Sequence, residues 1–120
     1  MEEEKLNNLK EKSNKFWEEY SKSNRSKNSL MNLESDEQKA SKKFNLEKKH
    51  LEKIINFQSN TVLVDLGAGI GLWSEYFSNK VEKVFLVEKQ KGFIELAQEH
   101  KKENNLINIE IIQSDVLDFE

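Results

Sequence analysis

The stretch VLVDLGAGIGLW, residues 62–73, places three of the four glycines directly after the most apolar run of the chain. Glycine weakens strands and helices, so three at alternate positions indicate a turn that needs special backbone angles or a close backbone approach. TVLVDL is short, apolar and β-branched, which predicts a strand buried on both faces, and LWSEYFS predicts a helix. A glycine-rich turn between such elements is typical of a site where backbone N–H groups approach a ligand.

The alternation of strands and helices continues to the end of the sequence. KVFLVE and NIEIIQSD predict two further strands, and FIELAQEH between them has the spacing of a helix. Amphipathic helices are expected at residues 3–23 and 39–57, and the Ser- and Asn-rich residues 22–38 predict a flexible loop. Strands that alternate with helices pair in parallel. The expected fold is an α/β, Rossmann-like parallel sheet preceded by two helices.

Charge is distributed unevenly along the chain. Residues 1–60 hold 13 basic and 11 acidic residues, whereas residues 61–120 hold 6 basic and 11 acidic residues. Binding to phosphates requires a basic face, so the acidic half argues against a nucleic-acid partner and favours a small neutral or positively charged ligand. Without cysteine, and with two distant histidines, no metal site is expected. The charged start and the lack of a long apolar run predict a cytoplasmic protein with no membrane partner.

Three carboxylates fall at the ends of the three predicted strands. Asp65 ends the first strand two positions before Gly67, Glu88 ends the second, and Asp115 follows the third. The carboxyl ends of parallel strands share one edge of the sheet, so these groups are expected on one rim. An anion at Asp65 suits an amino group or a sulfonium, and Glu88 can accept hydrogen bonds from both ribose hydroxyls. Asp115 can accept one from an adenine amino group.

With these residues in place, the chain resembles the class I S-adenosylmethionine-dependent methyltransferases. VLVDLGAGIG, VFLVEK and IIQSDVLDF are similar to the first three motifs of that family, in the same order and spacing, over about residues 53–120. The resemblance implies S-adenosyl-L-methionine as cofactor and leaves the catalytic residues unknown. The cofactor-binding residues that it implies are Asp65, Gly67, Ala68, Gly69, Gly71, Glu88, Lys89, Asp115 and Val116. It also implies a helical segment at 1–57 and a partial cofactor-binding domain at 58–120.

The family's sheet has seven strands, of which this sequence supplies the first three. The family's first strand pairs with the fourth, so TVLVDL is expected at an exposed apolar edge. Three explanations stay open: an amino-terminal piece of a longer methyltransferase, a half completed by a second copy or a partner chain, or a stand-alone module.

The expected function is transfer of a methyl group to a small molecule. FWEEYS, residues 16–21, also resembles the amino-terminal helix of small-molecule methyltransferases. One alternative is a non-catalytic S-adenosylmethionine-binding or regulatory subunit completed by a partner chain. Another is an NAD-binding fragment, although the third glycine comes one position too early for the dinucleotide-binding pattern.

Overall fold

A computed structural model describes residues 1–22 and 36–118 of the chain. Its elements in chain order are α1 (Glu2–Ser21), α2 (Glu37–Ile54), β1 (Val62–Leu66), α3 (Leu72–Ser78), β2 (Lys83–Glu88), α4 (Lys91–Glu103) and β3 (Ile109–Gln113). Each predicted helix and strand is present with bounds close to the predicted ones. Most of the predicted flexible loop at 22–38 lies outside the described residues.

The strands form a parallel sheet in the order β1-β2-β3. Val62 lies opposite Lys83 across the first pair, and Val84 lies opposite Ile109 across the second. Parallel neighbours require a crossover connection, which α3 supplies between β1 and β2 and α4 supplies between β2 and β3. This arrangement confirms the predicted α/β, Rossmann-like fold with two preceding helices.

The outer strand β1 has one covered face and one exposed face. Leu63 packs beside a buried cluster under the helices, whereas Val62, Val64 and Leu66 are 54%, 44% and 54% exposed. The prediction that TVLVDL is buried on both faces is therefore wrong for the part of the chain described. Within residues 1–22 and 36–118, no strand pairs with the outer side of β1, and the exposed apolar edge stays a prediction for the whole sheet.

The two amino-terminal helices pack beside the turn that follows β1. Tyr20 of α1 and Phe44 of α2 join Ile70, Leu72 and Phe93 in one buried cluster. The predicted boundary between two segments at residue 57 stays a prediction. The buried cluster contains residues from both sides of that position. Among the described residues, no helix combines the length and apolar character needed to cross a membrane.

Candidate functional site

A cavity of about 390 Å³ lies at the carboxyl ends of the strands, with α1 as one wall. Its volume falls within the range of about 300–1,000 Å³ that is usual for small-molecule sites. Six of the nine predicted cofactor-binding residues line it together: Gly67, Gly69, Glu88, Lys89, Asp115 and Val116. Their contact with a cofactor stays a prediction, but the structure brings them to one cavity.

The turn at residues 67–71 carries the chain from β1 into α3 through left-handed backbone. Gly67, Gly69 and Gly71 have φ angles of 66°, 60° and 87°. Such angles are unfavourable for residues with a side chain, which explains why glycines stand here.

Gly71 and Ala68, both predicted to contact the cofactor, lie away from the cavity. Gly71 is the N-cap of α3, and a Cβ atom added to it would lie only 2.5 Å from Cδ1 of Leu86. Ala68 is 2% exposed and its N–H donates a hydrogen bond to the carbonyl of Val87 at 3.1 Å. Gly71 and Ala68 therefore let the turn pack closely against β2, and neither leaves space for a ligand.

Two alanine substitutions should separate these roles. Both Gly67→Ala and Gly71→Ala place a side chain at a positive φ, so the backbone strain is of the same kind. At Gly67 the added Cβ meets no atom within 4 Å, whereas at Gly71 it meets Leu86. We expect Gly71→Ala to lower the free energy of unfolding by about 1–3 kcal/mol more than Gly67→Ala, the usual cost of overpacking. Urea denaturation of the two variants measures this difference, and equal losses would contradict the packing role of Gly71.

Glu88 places a buried carboxylate in the cavity wall. It is 7% exposed, and its Oε2 accepts a hydrogen bond from the N–H of Gly69 at 3.3 Å. Its Oε1 accepts a long one, 3.5 Å, from the N–H of Gln90. Burial raises the pKa of Glu88, the hydrogen bonds from Gly69, Gln90 and Lys89 lower it, and the charge of Asp65 raises it. A carboxylate offers about four acceptor positions, so Glu88 can still accept hydrogen bonds from a ligand.

Asp65 lies beneath the glycine turn and does not line the cavity. Its Oδ2 accepts a hydrogen bond from the hydroxyl of Ser74 at 2.7 Å, and Ser74 is fully buried. Burial raises the pKa of Asp65, and the hydrogen bond from Ser74 opposes that shift. Asp65 therefore helps to hold β1 against α3. Its contact with the cofactor stays a prediction, and the residues that line the cavity do not include it.

Asp115 and Lys89 close the rim of the cavity beside β3. Oδ2 of Asp115 lies 3.2 Å from Nζ of Lys89, and Oδ1 accepts a hydrogen bond from the N–H of Leu117 at 3.1 Å. The hydrogen bond from Leu117 and, after it, the one from Lys89 lower the pKa of Asp115. The carboxylate is therefore held ionised at the position where an adenine amino group was predicted to bind.

Sequence reasoning missed the contribution of α1 to the cavity. Ser13, Asn14 and Trp17 line the wall opposite the strand ends, and Gln90, Phe93 and Ser114 complete the lining. The polar break at Ser13 in an otherwise apolar helical stripe was the available signal. It could not be interpreted without knowing which element the helix packs against.

The fold and the family match place this chain among the class I S-adenosylmethionine-dependent methyltransferase domains. Residues 33–120 match the family model described as ribosomal RNA adenine dimethylase, and the chain belongs to that family. The helix α1 precedes the matched residues.

Curated relatives with a related name are similar over part of this chain. A stretch of 70 residues is 34% identical to a protein of Thermococcus sibiricus named "Probable ribosomal RNA small subunit methyltransferase A", covering 58% of this chain and 24% of the relative. A stretch of 62 residues is 32% identical to the protein of the same name from Methanosphaera stadtmanae, covering 52% and 23%. The matched stretch is thus about a quarter of each relative's length.

A solved structure matches nearly all of the chain. It is Haemonchus contortus phosphoethanolamine N-methyltransferase 1 in complex with phosphoethanolamine and S-adenosylhomocysteine. The match has a TM-score of 0.73 and covers 91% of this chain and 22% of that protein, at 24% identity. Likeness at this identity shows the fold alone.

The family match corrects the prediction about partners. A small-molecule methyl acceptor with no nucleic-acid partner was expected, whereas the family and both relatives are named for ribosomal RNA. Net charge over residues 61–120 misled here because phosphate binding depends on the charge of one local face, which an average over half a chain does not report.

Proposed function

We propose that this chain is the cofactor-binding part of an S-adenosylmethionine-dependent methyltransferase that methylates adenine in ribosomal RNA. The observation that carries this proposal is the buried Glu88 carboxylate, held by the N–H of Gly69 inside a cavity at the strand ends. Membership of the ribosomal RNA adenine dimethylase family supports the choice of acceptor. A cytoplasmic location is part of the same proposal.

The residues present fit the proposed cofactor. The space beside Gly67 is open, because an added Cβ would meet no atom within 4 Å, so a ligand can approach the backbone there. Glu88 would hold the ribose hydroxyls and Asp115 the adenine amino group. The aromatic side chains of Trp17 and Phe93 line the same cavity and offer apolar surface to an adenine ring.

The chain's own contribution to catalysis would be alignment and shielding. When bound, S-adenosylmethionine supplies a methyl group already activated by a sulfonium. Such a displacement mainly requires that donor and acceptor are held in line and that water is excluded. The strand-end carboxylates would fix the donor, and α1 would cover it from the solvent side through Asn14 and Trp17.

Calorimetry and a transfer assay test this proposal together. The chain is expected to bind S-adenosylmethionine and S-adenosylhomocysteine but not NAD, and the protein or assembly that completes its sheet is expected to transfer a radiolabelled methyl group to adenine of small-subunit ribosomal RNA. Glu88→Ala protein is the matched control for transfer. Binding of NAD alone would overturn the cofactor assignment. Normal cofactor binding without transfer to any RNA would contradict the catalytic part and favour a non-catalytic subunit.

The raised pKa of Glu88 predicts how cofactor affinity depends on pH. The carboxylate must be ionised to accept from both ribose hydroxyls, and burial raises its pKa above the usual 4.5. Affinity should therefore begin to fall, as pH is lowered, at a higher pH than an ordinary glutamate would give. Glu88 has the opposite effect on the free energy of unfolding. As pH is lowered, protonation of Glu88 relieves the cost of burying its charge and raises that free energy.

Calorimetric titrations with S-adenosylhomocysteine at several pH values check this dependence. Glu88→Gln should flatten the acid limb of the affinity profile, whereas Glu99→Gln, at an exposed position of α4, should leave it as in the parent. An unchanged acid limb in Glu88→Gln would show that another group governs binding.

A further inference from the structure

One face of α2 carries basic side chains and no carboxylate. The helix holds six lysines and three glutamates. At about 100° per residue, five of the lysines fall within an arc of about 120°, together with Leu46 and His50. All five are exposed, and they are Lys39, Lys42, Lys43, Lys49 and Lys53, called the lysine face below.

The opposite side of α2 faces the rest of the protein. Ala40 and Phe44 are buried, and the centre of the Phe44 ring lies 4.6 Å from the centre of the Trp73 ring in α3. The sixth lysine, Lys48, is on this side, with Nζ 4.1 Å from the centre of the Phe44 ring. Glu52 also turns this way, since its Oε1 accepts a hydrogen bond from the hydroxyl of Tyr76 at 2.7 Å. The packing of α2 therefore directs the lysine face to solvent.

Among residues 1–22 and 36–118, no carboxylate forms an ion pair with the lysine face. The ion pairs in this part of the chain involve Lys22, Lys80, Lys83, Lys89 and His100. Like charges three or four residues apart on a helix repel one another, so this face costs stability unless an anionic partner binds it.

The dimensions and position of the lysine face suit a nucleic-acid backbone. From Lys39 to Lys53 the helix rises about 21 Å at 1.5 Å per residue, which spans several phosphates of an RNA strand. The inner residue Phe44 shares a buried cluster with Phe93, which lines the cavity. An RNA segment bound along the outer side of α2 would therefore lie about one helix diameter, roughly 10 Å, from that cluster.

From these observations we infer that the lysine face is a docking surface for the phosphate backbone of the RNA acceptor. The inference rests on the proposed function, because it names the surface through which the acceptor of that same site is held. The contacts would be electrostatic and independent of sequence, and base recognition would lie elsewhere.

A charge-matched pair of variants tests the lysine face. One variant carries Lys42→Gln, Lys49→Gln and Lys53→Gln, and the control carries Lys5→Gln, Lys12→Gln and Lys102→Gln at exposed positions of α1 and α4. Both lose the same net charge. The probe is a fluorescently labelled transcript of small-subunit ribosomal RNA, and its affinity is measured by anisotropy at several salt concentrations. Calorimetry with S-adenosylhomocysteine checks that all proteins are folded.

The lysine-face variant should bind this RNA about 20-fold more weakly at ~0.1 M salt, with the slope of log affinity against log salt reduced by about 2 to 3. The control should change the slope by less than about 1. Equal slopes in both variants, with RNA bound normally by the parent, would overturn the lysine face and leave the proposed function standing. A parent chain that binds S-adenosylhomocysteine but no RNA would overturn both.

Discussion

Replacing Gly69 with valine is expected to lower the affinity for S-adenosylhomocysteine at least about 100-fold while the circular dichroism spectrum stays close to that of the parent. Gly69 has a φ of 60°, and its N–H donates to Glu88 at 3.3 Å. A β-branched residue at such an angle costs about 1–3 kcal/mol, so the turn must shift. That shift moves the N–H away from the carboxylate, and a hydrogen bond to a charged group contributes about 1.5–3 kcal/mol.

The chain provides a matched control for this substitution. Asn105, at the end of α4, has a φ of 55° and does not line the cavity. Asn105→Val imposes the same kind of backbone strain far from the glycine turn, and we expect it to reduce stability without reducing cofactor affinity. If Gly69→Val bound S-adenosylhomocysteine as well as Asn105→Val does, a backbone site in the glycine turn would be the wrong explanation of these glycines.

Glu88→Ala should weaken binding of the same ligand by about 1.5–3 kcal/mol, or roughly 10-fold to 150-fold. The substitution removes the acceptor proposed for both ribose hydroxyls and leaves the N–H groups of Gly69 and Gln90 without their carboxylate partner. Calorimetry measures the loss, and Glu88→Gln, which keeps one oxygen, should lose less. Glu99→Ala, at an exposed position of α4, is the control that should bind normally. Unchanged affinity in Glu88→Ala would place the ribose elsewhere.

Much of the fold could be predicted because the spacing of the apolar residues and the positions of the glycines indicate the same elements along residues 61–118. The change from helical to strand spacing at TVLVDL, and the glycines after it, locate β1 and the start of α3. Parallel pairing then places the strand ends on one rim, which is why Glu88 and Asp115 were predicted to lie together and do line one cavity.

The remaining parts of the site depend on tertiary contacts that sequence spacing does not encode. Trp17 reaches the cavity because α1 docks beside Phe93, a contact between residues more than 70 positions apart. Similarly, glycine is needed at position 71 because a side chain there would meet Leu86, and the Asp65 carboxylate accepts a hydrogen bond from Ser74. Each of these pairs becomes visible only when α3 is packed on the sheet.

Net charge averaged over 60 residues does not reveal the lysine face. The net charge of residues 1–60 is small because the acidic residues of α1 offset the lysines of α2. Only the helical projection of α2, combined with knowledge of its buried side, separates its lysines from its glutamates.

A crystal structure of the chain with S-adenosylhomocysteine tests the central claim most directly. The ligand is expected in the cavity between α1 and the strand ends, with both ribose hydroxyls at hydrogen-bond distance, about 2.5–3.0 Å, from the Glu88 carboxylate. Its adenine is expected beside Asp115. A ligand bound outside this cavity, or a Glu88 carboxylate that makes no contact with the ribose, would contradict the proposed site.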